Sequence, residues 1–223
     1  VTAFLGIDTA VRRGSVGLAP QGLIRPLSSE GRHAVDLFDG IEALLAEAGC
    51  HRDDLRGIGV TVGPGSFTGV RIGLATARGL GYALNVPVTG LSTLEAVACA
   101  AAGSLEGPLC AVLEAGRGEV YAALFALHGK NLERLGDDQV LRPEALAPSL
   151  PPDVLLAGDG ARLVVPFLAG SGTHASPRIA PPRLLALVLA GKAASVSGAG
   201  YRPGEPAPHY IRSSDAQVAR SRP

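Results

Sequence analysis

Apolar residues along this chain follow two rhythms, a period of two that marks strands and a period near 3.6 that marks helices. Phe4 to Ile7, Ser15 to Ala19 and Leu23 to Leu27 are short apolar runs. They are separated by Asp8-Thr9-Ala10 and by Pro20-Gln21-Gly22, which predicts a β-meander with turn chemistry at each corner. His33 to Ala48 carries the helical period and is ended by Gly49; Arg56 to Val62 then reads as a buried strand. Helices are predicted from Thr68 to about Leu84 and from about Ser92 to Ala102, with the short strand Val86 to Val88 between them. The second half repeats the plan in worn form, with strands at Leu109 to Glu114, Glu119 to Leu127 and Gln139 to Leu141. A helix after Pro143, a strand Val154 to Ala157, the turn Gly158-Asp159-Gly160, a helix around Arg162 to Leu168 and a long apolar helix from Pro182 to about Val196 complete it. The repetition predicts an α/β protein of two duplicated lobes, residues 1–104 and 105–212, followed by a tail, 213–223. From Ser197 onward Pro, Gly and Arg dominate without periodicity, which predicts extended or disordered chain.

The segment Gly63-Pro64-Gly65-Ser66-Phe67-Thr68-Gly69-Val70-Arg71-Ile72-Gly73 joins the Arg56–Val62 strand to a helix crowded with small residues. Its glycines and Pro64 predict a tight turn, and Ser66 or Thr68 can cap the first exposed amides of the helix. The same amides, with the helix dipole, can instead receive an anion. Three familiar motifs are excluded. A P-loop needs Lys and then Ser or Thr after its last glycine, whereas Val70 and Arg71 follow Gly69. A dinucleotide fingerprint needs G-x-G-x-x-G and a later acid, but three residues separate Gly65 from Gly69 and the next strand runs into Thr89-Gly90. A G-x-S-x-G nucleophile elbow fails because Pro64 and Thr68 occupy the positions that require glycine.

Bulk properties narrow the class further. The chain has 223 residues, 47% of them hydrophobic, enough for one large or two small cores. Twenty basic residues balance twenty acidic ones, so no overall positive field exists to hold RNA by phosphate contacts alone. Cys50, Cys99 and Cys110 are odd in number and lack C-x-x-C spacing, which argues for small core residues in a reducing compartment. The apolar start, Val1 to Ile7, is too short for a secretion signal, and no apolar run approaches a membrane span. A cytoplasmic protein is expected, with no membrane association.

The glycine motif and four other segments carry a family resemblance over most of the chain. These are Leu5 to Ala10, the continuation of the motif through Leu80, Leu91 to Ala96, Gly118 to Tyr121, and Pro208-His209-Tyr210-Ile211-Arg212. With them the chain resembles the TsaB (YeaZ) family, bacterial partners of TsaD, the enzyme that makes threonylcarbamoyladenosine in tRNA. The resemblance implies a two-lobed actin-like, sugar-kinase-like fold of duplicated ribonuclease-H-like lobes. It implies a scaffold with no catalytic residues and no cofactor, pairing with TsaD and with the ATPase TsaE, forming a homodimer without TsaD, and meeting tRNA only through the complex. Catalytic relatives bind a metal through an H-x-x-x-H pair; here His33 is followed at the fourth position by Leu37, and the other histidines are scattered, so no metal site is expected. In the actin-like superfamily an Asp after the first strand helps hold magnesium and nearby groups cradle phosphate. Asp8 and Thr9 stand at that turn, with Glu114 after the first strand of the second lobe and Gly158 and Gly160 at a later turn, a candidate degenerate nucleotide cleft. Glu114-Ala115-Gly116-Arg117 departs from the family's Asp-Ala-Arg. The alternatives are an actin-like ATPase or small-molecule kinase and, third, the glycoprotease label attached to this superfamily.

Helix spacing offers a separate reason to expect a partner. Gly69, Gly73, Ala77 and Gly81 recur every four residues, a shallow stripe on which another helix could pack closely. Helix glycines cost roughly 0.5 to 1 kcal/mol each relative to alanine. On the preceding helix Ala34, Phe38, Ile41 and Leu45 form an apolar row widened by Leu37 and Leu44. The two helices are expected to present an exposed apolar patch to TsaD or to a second copy, unless both stripes pack on the lobe's own sheet.

Overall fold

Alternation along β1 (Ala3–Asp8) sends Ala3, Leu5 and Ile7 to one side of a sheet and Gly6 and Asp8 to the other. In the computed structural model, which describes residues 1–27, 33–102, 106–129, 131–168, 176–177, 183–195 and 206–211, β1 is the centre of a five-stranded sheet. β2 (Ser15–Ala19) and β3 (Leu23–Pro26) extend it antiparallel, as the turn residues predict. β4 (Leu55–Thr61) and β5 (Val88–Leu91) extend it parallel on the other flank. The crossovers are α1 (His33–Glu47) and α2 (Phe67–Leu84), which cover the face carrying Leu5, Ile7, Val16, Leu18, Ile58 and Val60. Ser66 starts α2 by accepting the Gly69 amide at 3.1 Å, and Asn85 ends it in the left-handed conformation.

After α3 (Thr93–Ala102) a second sheet repeats the plan. β6 (Gly107–Gly116) and β7 (Glu119–His128) form a long hairpin; β8 (Asn131–Arg134) and β9 (Gln139–Leu141) both pair antiparallel with β7. β10 (Leu155–Ala157) and the two-residue β11 (Ser176–Pro177) add parallel on the other side of β6. Short helices α4 (Pro143–Leu146) and α5 (Ala161–Val164) pack with Cys110, Val112, Val120 and Leu156 on one face. α3 packs on the opposite face with Leu109, Phe125 and Leu127. No sequence signal marked β8, whose residues do not alternate. The expected lobe boundary at 104–105 and the tail 213–223 lie outside the described residues.

α6 (Arg183–Ser195) joins the two halves. Placed with the second lobe by its sequence position, it lies on the first sheet, against β1, β2 and β4, and its Leu185 and Leu189 also enter the cluster formed by α3, β6 and β7. The strands permit this because Gly17, Gly6 and Gly59 stand side by side in register across three strands. A Cβ at Gly6 would overlap the Ala186 carbonyl, and one at Gly59 the Leu189 carbonyl, so helix backbone rests directly on strand backbone. Among the described residues no helix is long and apolar enough to cross a membrane.

The glycine row makes a stability prediction with an internal control. Gly59→Ala should lower the urea-unfolding free energy by about 2 kcal/mol or more, because the atom in the way is backbone and must move. Gly191→Ala, on the same helix with open space at its Cβ, should raise stability by about 0.5 to 1 kcal/mol. Equal effects would show that α6 does not press on β4.

Candidate functional site

Asp8 ends β1 on the face of the first sheet that α6 occupies, and it is fully buried. The Ala10 amide and the Thr61 hydroxyl both donate to its Oδ1, each at 3.0 Å. Oδ2 meets no donor at hydrogen-bonding geometry, although the Val11 amide lies close enough to favour the charge. Burial dominates, raising the pKa from 3.8 to about 6, and the neighbouring charge of Asp159 pushes in the same direction. The fold therefore brings Asp8 near the Gly158-Asp159-Gly160 turn, 150 residues away in sequence.

That turn is held against the end of β6. The Gly160 amide donates to the Val112 carbonyl at 3.1 Å, and the Glu114 amide donates to Asp159 Oδ1 at 3.1 Å. A Cβ at Gly158 would overlap the Val112 carbonyl, and one at Gly160 would crowd the Leu113 backbone. The pKa of Asp159 is raised, first by burial and further by Glu114. Glu114 itself is exposed and pairs with Arg162 at 3.0 Å. Asp159, whose charge acts on Asp8, is the acid of this turn that sequence reasoning passed over. No group of three or more His, Cys, Asp or Glu suited to a metal occurs among the described residues.

Thr9 has a different job from the expected one. Its hydroxyl donates to the Gly69 carbonyl at 2.7 Å and is buried, which ties the β1 turn to the first turn of α2. A Cβ at Gly69 would overlap the Thr9 carbonyl and one at Gly73 the Thr9 hydroxyl. This corrects the expected exposed stripe: Gly69, Gly73, Ala77 and Gly81 are all buried, with Gly69 and Gly73 against Thr9 and Ala77 in the core of the first sheet. The reason is that a four-residue spacing identifies one face of a helix without saying what that face meets. Ser66 accepts from the Gly69 amide, as the capping alternative expects.

The α1 row is likewise divided. Leu37, Ile41 and Leu45 are buried against the first sheet, while Phe38 is 51% exposed; the Ala34 side chain lies outside the described residues. Phe38 stands at the rim of an apolar recess between α1 and α2, whose lining includes Ile41, Leu45, Leu55 and Leu80. Glu42 and Arg52 form an ion pair at its edge. Outward on α2 are Arg71, Ala75, Gly79 and Tyr82, the last 75% exposed.

Known proteins resemble this chain in sequence and in fold. The family model described as TsaD, tRNA N6-adenosine threonylcarbamoyltransferase, matches residues 14–160. The chain is 36% identical over 107 residues to the tRNA threonylcarbamoyladenosine biosynthesis protein TsaB of Bacillus subtilis, a stretch covering 48% of this chain and 46% of that protein. It thus spans about half the length of that curated relative. Two solved structures from Pseudomonas aeruginosa, one titled YeaZ and the other described by its similarity to peptidase YeaZ, superpose with TM-score 0.77. They are 29% and 30% identical, and each match covers 95% of this chain and 100% of the other. A sugar-bound ROK family protein from Streptococcus pneumoniae, 12% identical, superposes with TM-score 0.51 over 84% of this chain and 97% of its own, which identifies the two-lobed sugar-kinase-like, actin-like fold.

Asp8 makes stability depend on pH. Its raised pKa means that between pH 3.8 and about 6 the folded state keeps a proton the unfolded chain has released, so stability falls as pH rises through that window. The full cost, about 3 kcal/mol, stands at neutral pH. Asp8→Asn should therefore gain on the parent by about 2 to 3 kcal/mol between pH 4 and pH 8 in urea unfolding. A difference independent of pH would mean that Asp8 is not held in the burial described.

Proposed function

We propose, since this chain belongs to the TsaB (YeaZ) family, that it is a scaffold subunit for threonylcarbamoyladenosine synthesis at position 37 of tRNA. In this reading it pairs with a TsaD-type catalytic subunit, works with a TsaE-type ATPase in the cytoplasm, and forms a homodimer when TsaD is absent. The TsaD model's match to this chain supports a partner built on the same plan, and two like-built chains can associate through equivalent helices about a near two-fold axis.

One observation carries the reading. Phe38, a large apolar side chain, is half exposed beside an apolar recess at the α1–α2 seam, and Tyr82 stands out from the same layer. Aromatic side chains beside apolar pockets are what interfaces use as anchors. Docking therefore uses the outer side of α1 and α2, with Ile41 and Leu45 as the floor under the incoming chain. Gly69 and Gly73 act only indirectly, by seating α2 on Thr9, and Ala77 and Gly81 are buried behind the docking face. The balanced charge agrees with tRNA being held by the complex rather than by this subunit alone.

A second reading, an actin-like ATPase or kinase, is favoured by the buried Asp8 beside Asp159, since a carboxylate kept at a stability cost is typical of a site that handles cations or phosphate. Titration calorimetry with Mg-ATP separates the two: heat of binding to the isolated protein, abolished in Asp8→Asn, supports the second.

Phe38→Asp should weaken association with a co-purified TsaD-type partner by about 30-fold or more while leaving the melting temperature within about 2 °C, because the side chain is only half buried. Undiminished association, read by sedimentation of the mixed proteins, would contradict this docking face.

A further inference from the structure

Residues 206–211 read as part of an aperiodic tail, yet they lie in a seat built into the first lobe. The His209 amide donates to the Val62 carbonyl at 2.7 Å, extending the pairing just past β4. The Pro206 carbonyl accepts from Arg78, and Pro206 lies over Gly90, where a Cβ would come 2.5 Å from the proline ring. Arg71 Nε donates to the Tyr210 hydroxyl at 3.0 Å. The Arg71 guanidinium also stacks on Phe67, 3.6 Å from its centroid, and the Phe67 and Tyr210 rings are 5.2 Å apart. Five residues of the first lobe, Val62, Phe67, Arg71, Arg78 and Gly90, thus hold a six-residue strap.

The same strap reaches the second sheet. His209 Nε2 stands 3.3 Å from Asp138 Oδ2, in the link between β8 and β9. Asp138 is 5% exposed and pairs with Arg134, and Ser92 at the head of α3 reaches its Oδ2 at 3.4 Å. Beneath the strap, Val62 leads into the glycine turn, where the Gly63 carbonyl accepts from the Thr93 amide at 2.9 Å and the Ser66 amide donates to Ala10 at 2.8 Å. Ala10 in turn donates to Asp8. His209 is thus linked to the Asp8 loop by its bond to Val62, by the chain of the turn from Val62 to Ser66, and by the bonds from Ser66 to Ala10 and from Ala10 to Asp8.

We propose that residues 206–211 are a latch: seated, they clasp the two sheets through His209 and Asp138 and stiffen the glycine turn, and their release loosens the loop that carries Asp8. Strap and loop then open as one unit, so a partner or ligand that displaces the strap acts on the Asp8 loop without touching it. His209 and Tyr210 of the strap are themselves exposed, and only one of its hydrogen bonds is backbone to backbone, so its opening costs far less than unfolding of either sheet.

Hydrogen exchange on the full chain tests this. Replacing His209→Ala and Tyr210→Ala together should speed exchange of the Val62, Ser66 and Thr93 amides about tenfold, the effect of losing roughly one hydrogen bond's worth of restraint. Amides of the β6–β7 hairpin should keep parent rates. His209→Gln, which retains a donor for Asp138, should behave as the parent. Unchanged rates around the turn would overturn the latch. So would an equal acceleration in β6 and β7, which would indicate general destabilisation, or His209→Gln matching the double variant.

Discussion

The contact on which the structure depends is backbone against backbone, where α6 rests on the row formed by Gly17, Gly6 and Gly59. Side chains at these positions would hold a helix away from the sheet; hydrogen atoms let the Ala186 and Leu189 carbonyls sit on the strands. Because Leu185 and Leu189 also pack with α3, β6 and β7, this one helix rests on the first sheet and enters the core beside the second. The halves of a duplicated chain are thereby made one body.

Asp8 lies one alternation beyond Gly6 on the α6 side of the sheet and is fully removed from water. Its partners, the Ala10 amide and Thr61 hydroxyl, compensate only in part, and its pKa rises. On the opposite face Gly69 and Gly73 perform a parallel service, bringing α2 onto Thr9 so that the turn after β1 is gripped from both sides. An inner face packed in this way leaves association to the outer sides of α1 and α2, where Phe38 and Tyr82 remain uncovered.

Much of this was readable from residue order. Alternation and turn residues placed β1, β2 and β3 within a residue or two, and helical period placed α1 and α2, because each has one buried face whose pattern the chain must carry. Asp8 stood out as an acid at a strand end. What could not be read was direction: spacing put Gly69, Gly73, Ala77 and Gly81 on one face but did not distinguish a partner's helix from the chain's own β1 turn. The strand glycines had a usable signal, since Gly6 and Gly59 alternate with Leu5, Ile7, Ile58 and Val60, yet only the register shows that they align with Gly17. Asp159 and the seat of residues 206–211 depend on contacts distant in sequence, and a short proline-broken segment such as Pro206 to Ile211 has no periodicity from which to foresee them.

The central claim, that α6 makes a duplicated chain into a single cooperative unit, is tested most directly by scanning calorimetry. One transition whose calorimetric and van't Hoff enthalpies agree is the predicted result. Two resolved transitions, or a calorimetric enthalpy well above the van't Hoff value, would show that the lobes melt separately and that the glycine row does not unite them.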